Sequence, residues 1–495
     1  MNGLSLNQLL KGFCNELEFD VFIHRLQTDS RKIRPGDLFI AYPGRRVDGR
    51  HYIKEAIEKQ VVGVLYEADH YEPSVQNGIP LIAFPNLQNH IGDIATRFYG
   101  DPSKTIKVIG VTGTNGKTSC THFIAQSLQS QKISCGVIGT LGYGFVGNLN
   151  RTNCTTPDPI QLQQAFAKLQ EQDVKAVAME VSSHALDQFR VQGVHFTIAV
   201  FTQLSQEHLD YHSNMENYAR AKELLFEQPG LHYGVVNCDD ALGRRIIDNY
   251  HSKLTLVGYS ADGIKDNRVS YVRATHIKKL AHGFSVDVQT SWGKGTFTIS
   301  LLGRFNISNL LSVLSVLCLY GVPFEEALTE LSKLNTVRGR MQVVNIRHHQ
   351  HHCPQIIVDY AHTPDALKKV LMALREHCKG QLICVFGCGG NRDRRKRPQM
   401  AAIAEKLTNQ IVLTNDNPRS ESPLAIIRDI QAGFKNKNPV IVETDRAKAI
   451  KYAVQKATSN DTVLIAGKGH ETTQIIGTDV LPFDDVEEVR KVFNS

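Results

Sequence analysis

The sequence predicts an α/β chain of three domains, and three observations carry the prediction. At 495 residues it is long enough for about three domains of ordinary size. From residue 105 onward, short β-branched runs alternate with helical runs, the pattern of mainly parallel sheets. Between one such strand and one such helix stands VTGTNGKTS, residues 111–119, a glycine-rich turn suited to a phosphate.

Residues 1–88 form the first domain, a small α/β module with short strands at 37–42, 61–66 and 80–83 and an amphipathic helix at 52–59. Within it, residues 28–53 are dense in Gly, Asp, Ser and Arg around a strand, which suits a ligand-facing loop or a solvated connector. A helical stretch at 87–99 and the loop GDPSKT then lead into the glycine-rich turn.

The central domain spans 89–335. Strand 107–111, the turn and helix 117–131, with Phe123, Ile124 and Leu128 on one side, aim backbone N–H groups and a helix N-terminus at one small volume. Gly113 and Gly116 permit the sharp path, Lys117 reaches the outer phosphates, and Thr118 or Ser119 offers a hydroxyl to Mg²⁺. Val111 stands where the generic phosphate-loop pattern has a small residue. Strand 174–181 carries Glu180 near its C-terminal end, the place of a metal-binding acid in nucleotide-hydrolysing domains or of a locally satisfied edge carboxylate. After strand 195–204 comes SQEHLDYH, where Glu207, His208, Asp210 and His212 are ligand or acid–base candidates or simply loop. Lys222 lies among Ala, Leu and Phe on helix 218–226, where a lysine ordinarily snorkels to water. Residues 268–302 alternate as a hairpin insertion, and Asn306 either caps the apolar helix 310–320 or faces a nucleotide.

The third domain, 336–495, starts at TVRGRMQ and includes the histidine run 348–352, read as a solvated loop rather than a metal site. Its βαβαβα order predicts a Rossmann-like domain, with the loops DYAHTPDAL, GCGGNRDRRKRP, TNDNPRSESP and AGKGHET at strand C-termini, where open α/β sheets bind ligands. In DNPR, Arg419 offers a planar fork for a carboxylate, with Asp416 and Asn417 for an ammonium, a set suited to an amino acid.

Composition bounds the rest. The net charge of +7 is spread along the chain apart from the basic density at 392–397, and no aromatic-interleaved basic stripe accompanies it, so no nucleic-acid partner is expected. Ten cysteines at irregular spacings, without a paired CxxC set, read as reduced core thiols. The N-terminal segment lacks a signal-peptide pattern and no apolar run reaches about 18 residues. A soluble, cytoplasmic monomer is expected.

The motifs DSR, PGDLF and DGR, then GVTGTNGKTS, TTPD, MEVSSHAL, HLDYH, GRFN, VDYAHTPDAL, FGCGGNRD, DNPR and AGKGHE occur in one order along essentially the whole chain. Together they resemble the Mur ligase family, in its subgroup that adds the third residue of the peptidoglycan stem peptide. The family's loop is TGTNGK followed by Ser or Thr, which accounts for Val111. The resemblance implies an ATP- and Mg²⁺-dependent amide ligase in three domains, binding the UDP substrate, ATP and the incoming amino acid in turn. ATP phosphorylates the terminal carboxylate of UDP-MurNAc-L-Ala-D-Glu, and an amine attacks the acyl phosphate.

Carried over by position, the resemblance implies that Thr28, Ser30, Arg45, Arg46 and Val47 hold the UDP end. Cys154, Thr155, Thr156, Ser182, Gln188 and Arg190 hold the muramoyl dipeptide. Gly113, Thr114, Asn115, Gly116, Lys117, Thr118, Ser119, Asn306, Arg338 and Asp359 bind ATP. Thr118, Ser119, Glu180, His208 and Lys222 serve the metal, with Lys117, Glu180, His208 and Lys222 catalytic and Lys222 carbamylated. Arg392, Asp416, Asn417, Pro418, Arg419, Gly467 and Glu471 bind the amino acid, and DNPR resembles the meso-diaminopimelate-adding subgroup rather than the lysine-adding one. The segment QLSQEH, 203–208, and Cys154 depart from the family's usual Asn and Asp. A folylpolyglutamate synthetase would share the loop and lysine but lack the first domain's motifs and DNPR, and a P-loop ATPase would share the loop alone.

Overall fold

The computed structural model describes residues 3–44, 47–152, 154–280, 283–345, 353–435 and 440–494. Arg45, Arg46 and the histidine run 348–352 lie outside the described residues.

Near the N-terminus a five-stranded sheet runs in the order Arg25–Gln27, Asp37–Ala41, Gly63–Ala68, Ile79–Pro85, Glu72–Gln76, parallel except at the last pair. Alternation along Asp37–Ala41 splits its side chains between two cores. Leu38 and Ile40 pack with helix Leu87–Phe98, while Phe39 and Ala41 pack beside Ala56 of helix Ile53–Glu58. Helix Leu87–Phe98 also meets Ile160 and Ala167 of the next unit, so one apolar cluster joins the two. Strand Glu72–Gln76 is exposed throughout, and its EPSVQ sequence carries no apolar alternation to reveal it.

The central sheet has eleven strands. Cys135–Gly139, Ala176–Glu180, Lys107–Thr112, Phe196–Phe201, Tyr233–Asn237, Thr255–Ser260 and Ser270–Leu280 run parallel in that spatial order, with antiparallel strands at both edges. The expected hairpin insertion at 268–302 instead extends this sheet: Ser270–Leu280 pairs with Thr255–Ser260, and Gly283–Thr290 and Lys294–Ile299 follow. Its alternation sends Val286, Val288, Phe297 and Ile299 into the same core as Phe123 and Leu128 of helix Lys117–Ser130. Helix Phe305–Tyr320 roofs that core and is buried on nearly every side, so its sequence is continuously apolar.

The C-terminal sheet orders its strands Gln342–Val343, Gln355–Asp359, Thr462–Ala466, Leu382–Phe386, Gln410–Leu413, Val440–Val442, all parallel but the first. Because Thr462–Ala466 inserts between strands 355–359 and 382–386, the loops DYAHTPDAL, AGKGHET and GCGGNRD leave neighbouring strand ends. The hairpin Thr473–Ile476 with Asp479–Pro482 and the helix Asp485–Asn494 complete the chain. Arg446 and Asp485, both fully buried, form a bidentate pair at 2.7 Å that fastens this last helix to the sheet. Asp485→Ala leaves Arg446 charged and unpaired in the core, and denaturant unfolding followed in the C-terminal domain should show a loss of about 3–5 kcal/mol.

Candidate active site

The glycine-rich turn follows the buried strand Lys107–Thr112 and opens helix Lys117–Ser130. Gly113 sits at φ +146°, and a Cβ there would meet Thr202 Oγ1 at 1.8 Å; Gly116 sits at φ +91° with Asn309 Oδ1 2.7 Å from its would-be Cβ. No L side chain fits either place, which lets the loop pack directly against Thr202 and Asn309. Thr114 ties the turn to the neighbouring strand's loop, donating to Gln203 O from its N–H (2.7 Å), with its hydroxyl accepting from Ser205 N–H (3.0 Å) and bonding Tyr218 OH (3.1 Å).

Two ammonium groups converge on one carbonyl. Lys117 Nζ donates to Gly113 O at 2.8 Å and Thr114 O at 2.9 Å, and Lys222 Nζ donates to the same Gly113 O at 2.9 Å. Neither makes an ion pair among the described residues. Lys222 does not snorkel: it is 1% exposed, its ammonium over the Tyr218 ring. Burial, reinforced by Lys117, holds its pKa well below the usual lysine value, and burial likewise lowers Lys117. The Lys222 amine is therefore unusually ready to be neutral.

Glu180 ends its strand fully buried and is not a bare edge carboxylate. It accepts from Thr118 Oγ1 (3.0 Å), Thr140 N–H (2.8 Å) and Thr140 Oγ1 (3.2 Å), and a Cβ at Gly139 would strike it at 2.3 Å. Thr140 Oγ1 in turn reaches Thr155 Oγ1 at 3.0 Å, linking the carboxylate to the TTPD segment. His208, at φ +56°, has its pKa pushed down to about 4 by burial and then by Lys117 and Lys222; His184, 4.7 Å away ring to ring, is also brought to about 4 by burial first. Both are neutral at physiological pH.

One cavity of about 350 Å³ lies between the central and C-terminal sheets, lined by Thr114 through Ser119, Glu180, Glu207, His208, Asn306, Asn309 and Asp359, while Lys222 and His184 stand behind its wall. Asn306 lies in the first turn of its helix, inside the cap position, and donates to Leu302 O at 2.8 Å. Asp359 is buried and accepts from the N–H groups of Met341 and Ala361 at 2.7 Å. Arg338, expected at the nucleotide, is half exposed, pairs with Asp484 at 2.5 Å and lies outside the cavity's lining. Arg340 enters the cavity instead, donating to Thr118 Oγ1 at 3.2 Å and lying 4.5 Å over the Tyr360 ring. Between them Gly339 turns at φ +68° with His470 N 2.2 Å from a would-be Cβ, and spacing alone does not reveal which arginine faces the cavity.

Farther along, Thr156 and Ser182 meet at 3.3 Å, Thr156 Oγ1 accepts from Ser182 N–H at 3.0 Å, and Arg190 donates to Thr156 O (3.2 Å) and Gln188 Oε1 (3.0 Å). Cys154 is exposed beside them, its thiol 3.2 Å from Thr156 O. In the first unit, Thr28 and exposed Val47 follow the C-terminal ends of adjacent strands, while the Ser30 hydroxyl is already bonded to Glu55 at 3.1 Å.

A second polar group lies at the C-terminal sheet's strand ends. Asn417 donates to Glu471 at 2.8 Å, and the buried Lys468 donates to both Asn417 Oδ1 and Glu471 Oε2 at 3.0 Å. Asp416 stands 2.5 Å from a Cβ at Gly467, φ +116°, so only glycine fits there. Arg419, at φ +53°, donates to Gly390 O at 2.9 Å, and burial with Arg392 nearby pulls its pKa down. Neither Arg392 nor Arg419 makes an ion pair among the described residues. Pro418 joins the same loop and is buried. Lys468 was not anticipated, although its place between two glycines after a strand end was a usable signal. The rest of the basic run is mostly neutralised locally: Arg397, wholly buried, is held by Glu421 and Asp429, Arg394 by Asp429, and Arg395 by Asp393.

Fold and site together define a phosphate-loop enzyme whose cavity is shared by two α/β units and neighbours a separate cationic site. The description Mur ligase family, catalytic domain, matches residues 22–99; Mur ligase middle domain matches 111–317; and Mur ligase, glutamate ligase domain, matches 339–469. The chain is 70% identical over 491 residues to the UDP-N-acetylmuramoyl-L-alanyl-D-glutamate–2,6-diaminopimelate ligase of Coxiella burnetii, covering 99% of this chain and 100% of that one. It is 45% identical over 488 residues to the ligase of that name from Pseudomonas aeruginosa, covering 99% and 98%. A solved structure bearing that name is 33% identical, with a TM-score of 0.69 over 100% of this chain and 99% of that one. The chain belongs to the Mur ligase family.

Gly113→Ala should weaken nucleotide binding about 5- to 150-fold, the equivalent of about 1–3 kcal/mol of loop strain, as titration with a fluorescent ATP analogue will measure. Buried His122 on the loop's helix has its pKa lowered from 6.5 to about 4, by burial and then by Arg340. The unfolded chain takes up this proton first, so stability is full above pH 6.5 and falls as the pH drops towards 4, by about 3 kcal/mol for this group. His122→Gln should flatten the acid side of the unfolding-temperature profile.

Proposed function

We infer that the chain is an ATP-dependent ligase that adds meso-diaminopimelate to UDP-MurNAc-L-Ala-D-Glu in peptidoglycan precursor synthesis. The supporting observation is the convergence of Lys117 and Lys222 on Gly113 O, with Glu207 near both and no carboxylate at ion-pair distance from either among the described residues. A carboxylate is a poor electrophile, and phosphorylation supplies phosphate as leaving group. A carboxylate oxygen attacks the γ-phosphorus of ATP and the bond to ADP breaks. The amine nitrogen then attacks the acyl carbon, phosphate departs, and a proton goes to solvent.

In this reading residues 1–88 bind the UDP end, 89–335 bind ATP and 336–495 deliver the amine. Gly113 through Ser119, Asn306 and Asp359 hold ATP, and Arg340 takes the place expected of Arg338. Thr28, Ser30 and Val47 serve the UDP end; Cys154, Thr155, Thr156, Ser182, Gln188 and Arg190 serve the dipeptide. The oxygen donors of Thr118 and Glu180, 3.0 Å apart at the helix N-terminus, fit Mg²⁺, with Ser119 and neutral His208 beside them. When bound, Mg²⁺ supplies charge neutralisation on the phosphates. Lys222 meets the requirement for carbamylation: its neutral amine adds to CO₂, an N–C bond forms, one proton is lost, and Lys117 faces the resulting anion. Arg392, Arg419 and the Asp416–Asn417–Lys468–Glu471 group bind the amino acid, with Pro418 and Gly467 shaping the loops.

No helix among the described residues is long and apolar enough to cross a membrane. We place the enzyme in the cytoplasm as a monomer, with no nucleic-acid partner, in keeping with the locally paired basic run. The first unit and DNPR favour this reading over a folylpolyglutamate synthetase.

Phosphate release with UDP-MurNAc-dipeptide, ATP and Mg²⁺ should be strong with meso-diaminopimelate and weak with L-lysine; equal rates contradict the assignment. Arg419→Ala should raise the diaminopimelate KM about 10- to 150-fold, for loss of a charge-assisted contact of about 1.5–3 kcal/mol, and leave the ATP KM unchanged. With ¹³C-bicarbonate, the wild type should give a carbamate ¹³C resonance that Lys222→Arg lacks.

A further inference from the structure

Beside the Arg340–Thr118 bond, one carboxylate oxygen makes a three-donor contact between the phosphate loop and the C-terminal domain. Asp365 lies in the first turn of helix Pro364–His377, and its Oδ2 accepts from Asn115 Nδ2 at 3.3 Å and Ser205 Oγ at 3.1 Å, both in the central domain. The same oxygen pairs with Lys369 Nζ at 2.9 Å, one turn along its own helix. Asn115 belongs to the phosphate loop, and Ser205 is bound to that loop through Thr114, so both donors move with the nucleotide site. Lys369 lines the nucleotide cavity from the other side. Nothing in the reaction just described uses Asp365.

We propose that Asp365 is a positioning residue that docks the amine-delivering domain onto the phosphate loop and thereby sets affinity for the amine without touching it. The proposal rests on the reading above that the third domain binds the amine. A carboxylate suits the task because it is an acceptor only and takes three donors from two domains. The contact is part-buried at the junction of the two domains.

The test uses the full-length enzyme with Asp365→Ala, Asp365→Asn, Ser205→Ala and the Asp365→Ala/Ser205→Ala double variant. In phosphate-release kinetics, Asp365→Ala should raise the amine KM about tenfold with the ATP KM nearly constant, and Asp365→Asn should have a smaller effect. The double variant should be no worse than Asp365→Ala alone, since both remove the same contact across the domains. Small-angle scattering of the ligand-free protein should give a larger radius of gyration for Asp365→Ala than for the wild type. An unchanged amine KM, effects that multiply in the double variant, or identical scattering overturns the proposal. The scattering comparison needs no turnover, so it decides the docking role even if the wild type fails to use the amine.

Discussion

The carbonyl oxygen of Gly113 accepts from two lysines, and much of the molecule is arranged to hold that junction. Two charged amines so close would repel each other, and burial together with Lys117 holds the Lys222 pKa well below the usual lysine value. Strand Lys107–Thr112 lies in the middle of an eleven-stranded sheet, Gly113 and Gly116 are pressed against Thr202 and Asn309, and Lys222 arrives on a helix whose Tyr218 covers its charge. Loss of a proton from Lys222 relieves that repulsion, and its lowered pKa favours that loss. Glu180, across the loop, is held by three donors and cannot swing over to neutralise the lysines.

A second constraint concerns how the two chemical partners meet. The phosphate loop and the amino-acid group sit on different sheets, and both lie at strand C-terminal ends, where diverging loops leave a crevice. Inserting strand Thr462–Ala466 between its neighbours places AGKGHET beside DYAHTPDAL, so the first loop carries Lys468 and Glu471 while the second reaches the phosphate loop through Asp365. One domain thereby touches the glycine-rich loop and carries the Asn417–Lys468–Glu471 group. Arg340 adds a further tie from the start of that domain to Thr118.

Much of this was legible from residue types in order. The phosphate loop, Glu180 at its strand end and DNPR at a loop each follow from local pattern, because glycine, acid and arginine were read against a strand or helix that hydrophobic spacing had located. What was missed was missed for definable reasons. Arg338 and Arg340 are two residues apart on a turn, and only their partners in the fold, Asp484 and Thr118, separate them. The 268–302 hairpins have the alternation of any half-buried sheet, and nothing local says that they extend the central one. Lys468 is one lysine among many until the fold seals it between Asn417 and Glu471.

The sequence by itself determined the class of the fold, the glycine-rich loop between strand and helix and the family to which the chain belongs, because these depend on periodicity and on motifs contiguous in the chain. Tertiary structure alone decided that Lys222, 109 positions from Gly113, shares its carbonyl with Lys117, that Arg340 rather than Arg338 faces the cavity, and that Asp365 joins Asn115 across 250 positions. The physical reason is the same in each case. A side chain's charge acts over a few ångströms in space, and the chain distance between the groups it meets is set by sheet order and turn geometry, which no local pattern encodes.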